Sequence, residues 1–170
     1  IASYMVEFTD LNKVLFVLSP QNPFKEKKNL LDQYHRLQII RVELENNQKL
    51  DVSTIEFDMP IPSYTIDTLV RIQEKNPQNQ YTLIMGADNM QNFHKWKNHR
   101  QILQDFSIYV YPRSNIKINI KHENINFIRD VPELKISASF IRNAIKNRKD
   151  ISYMIPEKAW RYIEDMNFYK

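Results

Sequence analysis

Gly86 is the only glycine in a chain of 170 residues. It stands where an apolar run, Tyr81-Thr82-Leu83-Ile84-Met85, meets a polar and aromatic one, Ala87-Asp88-Asn89-Met90-Gln91-Asn92-Phe93-His94-Lys95-Trp96. The apolar run reads as a strand buried on both faces, as in parallel sheets. Gly86 permits a sharp turn or a close backbone approach where that strand ends. Ligands of open α/β sheets bind in the crevice at the carboxyl ends of the strands, so a ligand is expected here. Asp88, two residues on, is placed either to accept hydrogen bonds from ribose hydroxyls or to cap a short helix through Met90.

The chain has the length of one domain, enough for a real core and too little for two ordinary ones. Twenty-four basic against twenty acidic residues leave +4. That charge suits a phosphate-bearing ligand but is too weak and dispersed for a nucleic-acid footprint, and a solvated lysine-rich surface explains it equally well. No cysteine is present, which excludes disulfides, thiolate catalysis and cysteine-held zinc. Apolar runs stop at about five residues, as in Val14-Leu15-Phe16-Val17-Leu18, so no segment spans a bilayer and no secretory core is present. A cytoplasmic location is the expectation. Average usage would give on the order of twelve glycines. Ile1-Ala2-Ser3-Tyr4-Met5-Val6-Glu7-Phe8 lacks an initiator methionine and reads as the later part of a helix. A strand and a glycine-bearing turn are therefore expected ahead of residue 1.

Strand and helix signals alternate along the chain. Residues 13–18 form an apolar strand, followed at 19–28 by a loop with two prolines and three lysines. Residues 29–45 carry apolar side chains at helical spacing. A strand is expected over 51–57, then a stiff loop through Pro60-Ile61-Pro62-Ser63-Tyr64, then a helix over 66–75 capped by Thr65, with Asp67 in its first turn. That helix should stop before Pro77. A short helix over 97–104, a strand over 106–111, an irregular polar segment over 115–126 and a short strand over 125–128 follow. Ser137 or Ser139 caps a helix running to about 147. Pro156 opens a last helix over 157–166, with Trp160, Ile163 and Met166 inward. The alternation predicts an α/β fold, a mostly parallel sheet with helices on both faces.

Four of these places gather chemistry: the 19–28 loop, Ser63-Tyr64-Thr65, the stretch from Gly86 to Trp96, and Ile136-Ser137-Ala138-Ser139-Phe140-Ile141-Arg142. The last offers free backbone N–H groups, two hydroxyls and an arginine one turn in, which is either an anion cradle or a capped helix with a surface arginine. Trp96 either stacks on a planar ring or packs in the core. His35 and His94 have no partner at metal-ligand spacing. No Ser-His-Asp ordering or paired carboxylates support a hydrolase.

Taken in order and spacing, Ser19-Pro20-Gln21-Asn22-Pro23-Phe24-Lys25, Arg36, Pro62-Ser63-Tyr64-Thr65-Ile66-Asp67-Thr68-Leu69, Ile84-Met85-Gly86-Ala87-Asp88, His94-Lys95-Trp96 and Ile136-Ser137-Ala138-Ser139-Phe140-Ile141-Arg142 resemble bacterial nicotinate-nucleotide adenylyltransferase. The resemblance covers essentially the whole chain, including Ile155-Pro156, Tyr162-Ile163 and Phe168-Tyr169 near its end. It implies a Rossmann-like, doubly wound parallel sheet, and a reaction in which the 5′-phosphate of nicotinate mononucleotide attacks the α-phosphorus of ATP, with Mg²⁺. By the same resemblance Gly86 and Asp88 meet the adenosine ribose, while Ile136, Ser137, Ser139 and Arg142 hold the ATP phosphates. Lys25 and Arg36 meet the mononucleotide phosphate. Tyr64, Thr65 and the backbone at Lys97 lie at the nicotinate carboxylate, and Trp96 stacks on the pyridine ring. Substrates are the only partners implied beyond a possible homo-oligomer, with no nucleic acid and no membrane.

The family's signature, Gly-x-Phe-x-Pro-x-His-x-Gly-His, does not occur in these residues, and none of His35, His94, His99 or His122 takes the place of its histidines. The expectation is a single nucleotidyltransferase domain, 1–170, preceded by about twenty residues that hold the first, central strand. Thr65 and Trp96 favour a pyridine nucleotide over pantetheine phosphate, the acceptor of a sister enzyme. A nucleotide-binding module without activity is the reading from another class.

Overall fold

The computed structural model describes residues 1–20, 30–113, 116, 118 and 120–170. The chain is an α/β protein with two parallel sheets, and it divides into two compact units.

The unit Ile55–Glu133 contains β3 (Thr82–Gly86), β4 (Ser107–Tyr111) and β5 (Ile125–Phe127), side by side in that order and all parallel. Met85, Ile108, Val110 and Ile125 from these strands share one buried cluster with Ile66 and Leu69 of α3 (Thr65–Lys75), Met90 of α4 (Ala87–Gln91) and Ile102 of α5 (His99–Asp105). α3 buries Ile66, Leu69 and Ile72, a three-residue recurrence that places one face on the core. It ends at Lys75, with Asn76 as C-cap just before Pro77, as expected. Of the polar segment over 115–126, Ile116 and Ile118 pack against the same cluster.

The other unit is made from Ala2–Pro20, the described part of Glu26–Thr54, and Leu134–Lys170. Here β1 (Val14–Val17) and β2 (Leu50–Ser53) pair in parallel, Val14 opposite Leu50 and Val17 opposite Ser53. α1 (Ala2–Phe8) packs on β1, and α2 (Gln33–Leu44) packs on β2 and on α7 (Glu157–Asp165). Ile145 of α6 (Ala138–Lys146), Ile151 and Ile163 form a second buried cluster, with Ile39, Trp160, Phe168 and Tyr169 against it.

The parallel strands form two ladders, β1-β2 and β3-β4-β5. Several expectations need correction. α2 starts at Gln33, where Asp32 accepts from the Tyr34 N–H. Leu30 and Leu31 fall outside it, and Leu30 and Tyr34 are exposed. The strand expected over 51–57 ends at Ser53 and is followed by a 3₁₀ turn, Ile55–Asp58. Thr65 is the first helical residue and Tyr64 holds the N-cap position without a side-chain hydrogen bond. A threonine caps only from the flanking, non-helical position, so Thr65 is not the cap. Met166 lies just past the end of α7 and is exposed, not inward.

Candidate functional site

At the carboxyl end of β3, Gly86 has φ −77° and ψ 156°, a conformation open to any residue. The close approach, not a sharp turn, is what the glycine serves: a Cβ there would displace the free end of the Asp88 side chain and lie 3.2 Å from the Tyr111 ring. Asp88 is in the first turn of α4, whose N-cap is Gly86, so the capping role for Asp88 is not realised. Its half-exposed carboxylate is 3.6 Å from Arg113 Nε, and the Arg113 guanidinium lies 5.2 Å from the Tyr111 ring. An exposed pair of this kind is weak. The carboxylate keeps lone pairs for hydroxyl donors at the strand ends.

Around the start of α3, Lys97 Nζ donates to both Asp67 oxygens at 3.1 and 2.8 Å and lies 4.8 Å from the Tyr64 ring centroid. Tyr64, Asp67, Arg71 and Lys97 line a cavity of about 530 Å³. Thr65 and Trp96 do not line it. Trp96 is partly buried against the core, its ring 5.5 Å from that of Phe93 and tilted by 55°. The packing role and the stacking role are therefore compatible, since part of the indole stays open.

At the start of α6, Ser137 is the N-cap, and its Oγ accepts from the Phe140 N–H at 3.1 Å. Arg142 Nη2 donates to Ser139 Oγ at 3.2 Å. The first turn holds no acid. Ile136, Ser137 and Ser139 are all exposed, so the positive end of the helix presents hydroxyls and a guanidinium where an anion can reach them.

Arg36, expected at the mononucleotide phosphate, is bonded to main chain. Its Nε donates to Leu31 O at 3.0 Å, and its Nη1 and Nη2 donate to Ser19 O at 2.8 Å and Pro20 O at 2.9 Å. All three nitrogens hold main chain. Desolvation lowers the Arg36 pKa from its ordinary value, against the fields of Asp32 and Tyr169. Lys25 lies outside the described residues. Burial pushes the Tyr169 phenol up, and the charges of Arg142 and Arg36 pull it back. The end of the chain is held to α2 by Phe168, whose ring meets His35 edge-on at 4.8 Å, while His35 Nδ1 is 3.2 Å from the Tyr162 hydroxyl.

Arg113 beside Asp88 and Tyr169 near two arginines were not found by sequence reasoning, because each depends on residues distant in the chain. The buried trio Glu56, Ser63 and Thr68 was also missed. Glu56 has no local signal, and although Ser63 stands in one of the four places singled out and Thr68 in the string beside it, nothing in the sequence joins them to Glu56. Among the described residues no group of three or more His, Asp or Glu is placed to hold a metal ion. No helix among them is long and apolar enough to cross a membrane.

Comparison with known proteins bears on the whole arrangement. The cytidylyltransferase-like family profile matches residues 2–144. The chain is 46% identical to proteins named probable nicotinate-nucleotide adenylyltransferase from Flavobacterium psychrophilum and from Christiangramia forsetii, over 100% of this chain and 90% and 89% of theirs. Its structure is similar to that of Plasmodium falciparum nicotinic acid mononucleotide adenylyltransferase complexed with NaAD, with a TM-score of 0.80 and 18% identity, over 99% of this chain and 87% of that one. At that identity the likeness establishes the fold, the Rossmann-like nucleotidyltransferase arrangement that the alternation of strands and helices predicts. The chain belongs to the cytidylyltransferase-like family and, within it, to the nicotinate-nucleotide adenylyltransferases.

Proposed function

We infer that the protein transfers the adenylyl group of ATP to nicotinate mononucleotide, giving nicotinate adenine dinucleotide and pyrophosphate, a step of NAD biosynthesis. Family membership across the full chain carries this reading. An oxygen of the mononucleotide 5′-phosphate attacks the α-phosphorus of ATP, and the bond to the β-phosphate oxygen breaks. The attacking oxygen is already anionic, so no base has to remove a proton. The protein's task is to hold two phosphate groups in line and to neutralise the charge that spreads over the transferring phosphorus.

Ser137, Ser139 and Arg142 suit the ATP phosphates: they sit at one exposed helix start, and Arg142 is already aimed along its first turn by Ser139. Gly86 and Asp88 suit the ribose, since the missing Cβ leaves the Asp88 carboxylate lying over the strand end. Tyr64, Thr65, Trp96 and Lys97 suit the nicotinate half. Arg36 acts on the main chain at Ser19 and Pro20.

A divalent cation, Mg²⁺ by preference, enters bound to the ATP phosphates. Ser137, Ser139 and Arg142 would hold the phosphates that carry it. When bound it supplies charge neutralisation on those phosphates.

The test is an end-point assay of the protein with ATP, Mg²⁺ and one acceptor at a time: nicotinate mononucleotide, nicotinamide mononucleotide or pantetheine phosphate. Dinucleotide and pyrophosphate should form in equal amounts with the nicotinate compound and more slowly with the others. Faster reaction with pantetheine phosphate, or tight ATP binding with no product from any acceptor, overturns the assignment.

A further inference from the structure

The buried polar side chains among the described residues are three: Glu56, Ser63 and Thr68. They are bonded to one another. Ser63 Oγ donates to Glu56 Oε2 at 2.6 Å, and Thr68 Oγ1 donates to Glu56 Oε1 at 2.7 Å. The Thr68 hydroxyl also lies 3.2 Å from Tyr64 O. It has one hydrogen to give, and the shorter bond to the charged acceptor takes it.

The placement of the three residues is informative. Glu56 is in the 3₁₀ turn Ile55–Asp58, Ser63 ends the loop before α3, and Thr68 lies one turn inside α3. One carboxylate thus grips the chain on both sides of Tyr64, Thr65, Ile66 and Asp67. Tyr64 and Asp67 are the two residues that hold Lys97. The start of α3 has no side-chain cap from Tyr64, so the bracket supplies from below the fixation that a cap would otherwise give. A buried carboxylate with two hydroxyl donors is a costly way to join a loop to a helix. Apolar side chains of similar shape would pack there at least as well. What an apolar substitute would lose is the single angle at which the chain enters the helix.

We propose that Glu56, acting through Ser63 and Thr68, is a positioning residue for nicotinate recognition: it sets the Tyr64-Thr65 segment and, with it, the preference for a ring carboxylate over a ring amide. This rests on the reading that the segment receives the nicotinate half of the mononucleotide. Such a preference needs donors held at a fixed distance and angle, because carboxylate and carboxamide differ little in shape. Glu56 itself touches no substrate.

The experiment compares Thr68→Val, which keeps the shape and removes the hydroxyl, with Thr68→Ser, which keeps the hydroxyl, and adds Ser63→Ala and Glu56→Gln. Each is assayed for the KM of nicotinate mononucleotide, the KM of ATP, and the ratio of kcat/KM for nicotinate against nicotinamide mononucleotide. Thr68→Val should raise the nicotinate mononucleotide KM by about tenfold, the effect of one lost charge-assisted bond. It should narrow the acid-to-amide ratio and leave the ATP KM unchanged. Thr68→Ser should restore both values, and Ser63→Ala and Glu56→Gln should follow Thr68→Val. If Thr68→Val does not fold, Ser63→Ala and Glu56→Gln decide by the same readouts. Equal rises in both KM values, or an unchanged acid-to-amide ratio in the folded variants, overturn the proposal. Trp96→Ala, run alongside, separates the two levels: if it leaves the nicotinate mononucleotide KM untouched, the placement of the nicotinate half fails. If it raises that KM while the Glu56 set does not, only the positioning role fails.

Discussion

At the start of α3 the polar groups are buried and satisfied by one another, with Glu56 taking hydrogens from Ser63 and Thr68. At the start of α6, by contrast, Ile136, Ser137 and Ser139 are exposed, and order comes from one hydroxyl cap and one arginine-to-serine contact. The difference follows the ligands proposed for each. A triphosphate brings several negative charges that act on donors at a distance and can draw a solvated helix start into place. A ring carboxylate is small, singly charged and nearly the shape of its amide, so its donors have to be in position beforehand. We read the α3 start as preorganised by the fold and the α6 start as completed by its ligand.

The largest effect that would break this contrast is on stability. Glu56→Ala should cost about 3 kcal/mol, from two charge-assisted bonds lost and two hydroxyls left buried, whereas Ser137→Ala should cost about 1 kcal/mol, the value of a cap. Urea unfolding of both variants checks this, and a reversed order would remove the contrast. Next, Arg142→Ala should lower kcat/KM for ATP by about 2 kcal/mol of transition-state stabilisation with nearly unchanged melting, since its side chain lies outside the buried clusters. A variant that melts early without a change in ATP use would make Arg142 structural.

Trp96→Ala should weaken nicotinate mononucleotide by about 1.5 kcal/mol, within the range for stacking on an aromatic side chain, and leave ATP alone. It should also lower the melting temperature, because part of the indole packs against Phe93 and the core. Loss of stability with both substrates bound normally would assign Trp96 to the core only.

The smallest effect concerns Tyr169. Burial raises its pKa in the folded protein, and Arg142 and Arg36 offset part of that rise. A phenol with a raised folded pKa binds its proton more tightly folded than unfolded. The associated stability is complete below the unfolded value of about 10 and is lost as pH rises through the folded value. Tyr169→Phe should therefore flatten the alkaline decline in stability above about pH 10 and leave neutral pH little changed. An identical alkaline slope in that variant would show that the phenol gives up its proton as readily folded as unfolded.

What could be read from the residues was what local chemistry dictates. The strands from Val14, Thr82 and Ser107 announced themselves as short apolar runs. α6 announced its cap, because the bond from Phe140 N–H to Ser137 spans three residues. The expectation of a ligand at that strand end followed from one glycine beside one acid, and the family from the ordered strings around them. The grip of Arg36 on Ser19 and Pro20 and the anchoring of Ile116 and Ile118 needed the folded chain. So did the bracket built on Glu56. A glutamate in sequence is ordinarily a solvated charge, and only burial makes its two oxygens demand donors. Those donors stand seven and twelve residues away, and only the fold brings the loop and the helix back to the same carboxylate.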